Sequence, residues 1–179
     1  GEYVVQLTDS IDCSISFDTV IVYDTPVWGS TIDQELCSDA VTVNVDYTGS
    51  NLNNTYTWLN DNVSIGLGAS GSGNTINSFQ AINPGPGVQI ATITVTPELF
   101  GCVGADSSFI ITVNPLPTID AGEDQLICGI SITQVNASGG VSYIWDNSVV
   151  DGVDFSATFE GIYNVTGTDI NGCVNTDFL

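Results

Sequence analysis

Two passages of this chain are one passage used twice. GEYVVQLTDSIDC opens it at Gly1, and GIYNVTGTDINGC runs from Gly161 to Cys173; they share Gly1/Gly161, Tyr3/Tyr163, Val5/Val165, Thr8/Thr168, Asp9/Asp169 and Cys13/Cys173. A second set recurs at fixed spacing, with Pro26, Asp33, Gln34 and Cys37 matched by Pro117, Asp124, Gln125 and Cys128. A third pairs Tyr56-x-Trp58 with Tyr143-x-Trp145. Passages that return in the same order are positions in a structural unit that is used again. The Pro-to-Cys set marks a unit's start, the Tyr-x-Trp set a central core strand, and the Gly-to-Cys passage a unit's end. The chain then divides into residues 1–24, the late strands of a unit whose first half would lie upstream of Gly1; 25–115, a complete unit; and 116–179, a unit lacking most of its last strand.

The units are built from strands. Val41, Val43, Val45 and Tyr47 alternate with Thr42, Asn44 and Asp46, the period-two pattern of a half-buried strand. Similar runs stand at EYVVQL, FDTVIVY, TYTWL, QIATITVT, SSFIITV, VSYIW and GIYNVTG, punctuated by clusters such as INPGPG and ASGSGN. No segment carries an apolar stripe at helical spacing, so the expected fold class is all-β. Trp58, Trp145 and Tyr163 are expected core residues.

Composition narrows the function. The chain has no Lys, Arg, His or Met and carries 21 Asp and Glu, for a formal charge of −21. About a quarter of an average protein is charged, with both signs represented, so this bias is not chance. Carboxylates without cationic partners turn to water, backbone amides, turn dipoles and metal ions. The charge repels phosphate backbones and anionic membranes, which excludes nucleic acid as a direct partner. At 42% hydrophobic residues and three Trp, the chain has material for a core. No stretch reaches the length of a membrane span, so no membrane insertion is expected.

Five cysteines suggest one pair per unit. On that arithmetic Cys37 bonds Cys102 and Cys128 bonds Cys173, while Cys13 waits for a partner upstream. None stands in Cys-x-x-Cys spacing, and structural cystines fit small strand-rich units in an oxidising space.

The unit start PLPTIDAGEDQLIC, the mid-unit SYIWDN and the unit end GIYNVTGTDINGC resemble the tandem immunoglobulin-like or PKD-like repeats of large secreted adhesins of gliding, Bacteroidota-type bacteria. The likeness is strongest over residues 116–179 and weakest over 48–90. It implies immunoglobulin-like β-sandwich beads on a secreted or cell-surface fibre, exported by the type IX route. In that frame Glu160-Gly161-Ile162-Tyr163 resembles a tyrosine corner, with Val165 where an antibody domain keeps its second Cys. Asp9-Ser10-Ile11 and Asp18-Thr19-Val20 are similar to the O-glycosylation signal of the same bacterial group, which would place sugar on Ser10 and Thr19. The Asn-x-Ser/Thr triplets at Asn53, Asn62, Asn136 and Asn164 read as accidents of composition.

Without His, Lys or Arg there is no conventional Ser-His-Asp triad, Schiff-base lysine or His-based metal centre. Only paired carboxylates remain, and a glycosidase needs two of them across a cleft that small strand-rich units rarely build. The expected protein is not an enzyme. Calcium is the metal its oxygen ligands would suit, at Asp120, Glu123 and Asp124 in DAGED and at Asp169 and Asn171 in TDING. Asp-rich turns are ordinarily just turns, and both readings stand. Trp28, beside Pro26 in a connector, suits either a wedge between units or packing under its own sheet.

The sequence thus points to a structural or adhesive repeat segment of an extracellular fibre, whose partners are neighbouring repeats, identical subunits, glycans or a cell surface. Its rival is a carbohydrate-binding or accessory module of a secreted enzyme, distinguished by exposed aromatics on one sheet face or in residues 66–87.

Overall fold

The computed structural model describes residues 2–6, 17–22, 25–27, 29, 32–49, 53–129, 131–157 and 161–179. Among them the regular structure is strand apart from one 3-10 turn, Val63–Ile65, so the fold is all-β as expected. β1 (Glu2–Gln6) and β2 (Phe17–Ile21) form an antiparallel pair. β3 (Gln34–Cys37), β4 (Val45–Asp46), β5 (Thr55–Asn60), β6 (Ser70–Ser72), β7 (Thr75–Ile76), β8 (Gln89–Leu99), β9 (Cys102–Val103) and β10 (Ser107–Asn114) surround a first core. They make a sheet in the order β3-β10-β8-β5-β6, with β9 also on β8, and a separate β4–β7 pair. β11 (Ser131–Thr133), β12 (Ser142–Trp145), β13 (Phe155–Ala157), β14 (Asn164–Thr168) and β15 (Val174–Phe178) surround a second core, as a β12-β14-β15 sheet and a β11–β13 pair.

Period-two alternation places the core. In β5 Tyr56 and Trp58 point inward while Thr55, Thr57 and Leu59 face out, and the inward residues of β8 and β10 include Ala91, Ile93, Val95, Phe109, Ile111 and Val113. Asn60 takes the next inward place on β5, where its side chain donates to Leu67 O and Gly68 O and accepts from Asn62 N, the pairing a buried amide requires. The second core repeats the design with Trp145 directly opposite Val165 on the neighbouring strand and Tyr163 stacked at a tilt on Phe155. Trp58, Trp145 and Tyr163 are therefore core residues.

One strand expectation is corrected. The alternation from Val41 to Tyr47 does not run through on one face: Val41 and Val43 are exposed, Thr42 is buried, and only Val45 and Tyr47 point inward. Two side chains break the ladder. Gln34 accepts from Val43 N and donates to Val43 O, occupying both groups that a paired strand would use, and Thr42 Oγ1 exchanges hydrogen bonds with the Phe79 backbone. The phase slips between them, leaving a strand of two residues.

Candidate functional site

β3 lies parallel to β10, with Gln34 beside Ile111 and Cys37 beside Asn114, the last residue of β10. The first strand thus ends where the last strand ends and the chain enters Pro115-Leu116-Pro117. Cys102 lies before the other end of β10. Eight residues of strand separate the two positions, roughly 25 Å at 3.3–3.4 Å per residue, whereas a disulfide needs Cα atoms within about 7 Å. The expected Cys37–Cys102 bond is therefore excluded by the direction of the first strand.

Cys37 is instead bonded to Cys173, across a sequence separation of 136 and a Cα–Cα distance of 5.5 Å. The expected Cys128–Cys173 bond fails with it, and Cys102 and Cys128 are exposed free thiols. Cys173 sits in the turn between β14 and β15. Asp169 Oδ1 shapes that turn by accepting from Asn171 N and Cys173 N, and Gly172 passes through it at φ 80°. Two residues beyond the cysteine, Asn175 Nδ2 donates to Pro117 O at 2.9 Å, fastening the turn to the connector. Ala121 N, just past the connector, donates to Asp177 Oδ2 of β15. Cys37 beside Asn114 and Cys173 two residues before Asn175, which holds Pro117 O, thus close a covalent bridge over the joint between the two cores.

In place of ion pairs the carboxylates hold backbone amides. Asp33 accepts from Ile110 N, Asp61 from Thr92 N, and Asp151 Oδ1 from both Ala137 N and the Trp145 indole. Asp120 likewise accepts from Gly122 N. Of the residues suited to calcium, Asp120, Glu123 and Asp124 are exposed and Asp169 is engaged in its own turn. Among the described residues no three His, Cys, Asp or Glu side chains converge as a metal shell would.

Cys13, Ser10, Trp28 and Glu160 lie outside the described residues; Thr19 is in β2 opposite Val4. The hydroxyl that bonds back onto upstream backbone belongs to Tyr143, which donates to Gly140 O and accepts from Gly140 N, rather than to Tyr163. Sequence reasoning missed Asn175 and the glutamine contacts. The signal for the latter was present, because Gln34 and Gln125 recur and each reaches the residue nine positions on, Val43 and Gln134.

One further feature is an open groove of about 870 Å³ beside the second core, lined by Leu126, Phe155, Ile162, Tyr163 and Phe178 among others. Among the described residues from 25 onward Phe100 and Phe178 are the exposed aromatics, and Phe79, within residues 66–87, packs against the first core. No helix is long and apolar enough to cross a membrane, which says nothing of strands.

No protein-family profile matches the chain, and no curated protein does. Among solved structures it is similar to SGBP-B of a Bacteroides ovatus mixed-linkage glucan utilization locus, solved in complex with a mixed-linkage heptasaccharide, at 15% identity and a TM-score of 0.38. The match covers 88% of this chain and 47% of that one, so the chain spans about half of that protein's length. A likeness at that score decides neither ligand nor activity.

Proposed function

We propose that this chain is a stiff, non-catalytic spacer of an extracellular array, a segment that sets reach and resists tension. The Cys37–Cys173 bond carries the reading, because it clamps the joint between two cores rather than fixing either core internally. A bond of this kind adds little to recognition chemistry and much to the persistence of a rod. Proline at Pro115 and Pro117 restricts the same joint. Disulfides persist in oxidising compartments, which fits a secreted or surface location. The lack of Lys and Arg withholds primary sites from trypsin-like proteases there.

Small-angle X-ray scattering tests the reading. The oxidised chain should give a single narrow distance between the cores, and reduction or Cys37→Ser should broaden it without unfolding either core. An unchanged distribution would mean that the bond does not hold the joint.

The second reading is a glycan-binding module, favoured by the groove beside the second core with Phe155, Tyr163 and Phe178 in its lining. Because the Bacteroides ovatus neighbour was solved with a mixed-linkage heptasaccharide, that oligosaccharide is the ligand to titrate. Calorimetric binding that disappears in Phe178→Ala would move the assignment to recognition.

A further inference from the structure

We propose that the joint bond is one link of a relay, in which the cysteine ending each unit's first strand is oxidised with the turn cysteine of the unit that follows, and that Cys102 and Cys128 are its open ends. This rests on the spacer reading and extends it from one joint to every joint of such an array. Within one unit the geometry keeps such a pair apart. Cys37 on β3 lies beside the last residue of β10 and Cys102 on β9 lies before the first, so each would find its partner across a joint.

Cys102 repeats the setting of the bonded Cys173. Each follows a glycine of left-handed conformation, Gly101 at φ 84° and Gly172 at φ 80°. Each is also followed two residues later by a contact to a connector proline carbonyl. Asn175 donates to Pro117 O, and Gly104 lies so close to Pro26 O that a Cβ there would come within 2.1 Å of it. Cys128 in turn repeats the setting of the bonded Cys37, since each stands three residues after a glutamine that holds the backbone nine residues on from itself. Both thiols are exposed and unbonded, as the ends of a relay would be. Cys102 calls for a first-strand cysteine of another unit of this design, and Cys128 for a turn cysteine. Cys13 has the sequence position of a turn cysteine, like Cys102, so those two are not partners. Closing a link joins two sulfurs, releases two protons and passes two electrons to an oxidised dithiol carrier, which becomes the dithiol.

The test is a disulfide map of the natural protein. It is capped with a maleimide before any reduction and digested with pepsin and an Asp/Glu-specific protease, trypsin having no site. Cys37–Cys173 should be found, with Cys102 and Cys128 each bonded to a peptide and neither capped. In parallel the isolated 179-residue chain is oxidised in glutathione buffer. If Cys102 and Cys128 then remain cappable, their natural partners are neighbouring units of one polypeptide; a Cys102–Cys128 bond between copies makes the partner a second chain. Capped Cys102 and Cys128 in the natural protein, or a Cys13–Cys102, Cys37–Cys102 or Cys102–Cys128 bond within one chain, overturns the relay. The two proposals fail separately, because a missing Cys37–Cys173 bond removes the spacer reading, whereas its presence beside free thiols removes the relay alone.

Discussion

Pulling on the two ends of the oxidised chain should load β1 to β3 and β15 and leave the strands between the bridged cysteines off the line of force. Tension entering near Gly1 reaches Cys37, crosses to Cys173 and leaves through Leu179, so the residues between the bridged cysteines form a side loop that cannot extend. Reducing the bond, or replacing Cys173 by Ser, returns a span of 136 residues to the force path. At about 3.3–3.6 Å per extended residue the added contour length is roughly 450–490 Å. The assay is optical-tweezers extension between handles at the termini, with and without a phosphine reductant. The oxidised chain should give only a short extension, and the reduced chain the full one, in rips that correspond to the two cores. Equal lengths in both states would refute the reasoning. Two smaller increments on reduction, each matching a loop inside one unit, would restore the within-unit pairing that the strand direction excludes. The same bond should matter at rest. Closing a loop of this size is worth about 5 kcal/mol on the chain-entropy account, and for a protein of this length that is roughly 10–20 °C in melting temperature.

Four further outcomes are expected. Trp145→Ala should cost about 3–5 kcal/mol and melt the second core ahead of the first, because the indole both fills that core opposite Val165 and satisfies Asp151; coincident melting of the two cores by differential scanning calorimetry would contradict two separate cores. Gly104→Ala should lower the melting temperature by forcing the turn after Cys102 away from Pro26 O, and should raise the capping rate of Cys102, whereas a surface control such as Gly87→Ala, with open space around it, should do neither. Millimolar calcium should stabilise the fold no more than sodium chloride of matched ionic strength, since Asp169 and Asp120 already hold backbone amides; a larger calcium effect, lost in Asp124→Asn, would place a cation in the DAGED turn. Burial raises the Tyr47 phenol above its ordinary value, so its contribution is complete below about pH 10 and is lost as the pH climbs beyond that; Tyr47→Phe should flatten the alkaline decline in urea stability, and an unchanged slope would assign it elsewhere.

How far the sequence discloses this molecule depends on whether a pattern is local. TYTWL, QIATITVT and SSFIITV became β5, β8 and β10 because their side chains alternate against neighbours of the same grammar, and the side chains that reach their backbone, Asp61 at Thr92 N and Asp33 at Ile110 N, leave the registers between them intact. The stronger-looking run from Val41 to Tyr47 broke because Gln34, nine residues before Val43, takes that residue's backbone donor and acceptor. Its burial pattern is decided by a side chain outside the window in which period two can be read. The same limit applies to the Asp-rich turns: Asp, Asn and Gly in a tight turn serve a cation and an Asx turn equally well, and at Asp169 the carboxylate accepts from the amides of Asn171 and Cys173.

The cysteines make the sharper case. The recurring passages lead to an expectation of one cysteine near each unit's start and one near its end, and counting alone then favours a bond within each unit. Counting carries no direction. Once β3 is known to run parallel to β10, the first strand must deliver its cysteine to the end at which the chain leaves the unit, while the turn between the last two strands lies at the end where the chain enters. A parallel pairing of first and last strands therefore turns an even number of cysteines per unit into bonds between units. Asn175, two residues beyond Cys173, spans the same joint: its Oδ1 accepts from Thr176 N while its Nδ2 reaches Pro117 O in the connector. If β3 were antiparallel to β10, Cys37 would arrive beside Cys102 and the joint would be free to bend. Strand direction, more than cysteine number, decides whether such an array is a string or a rod.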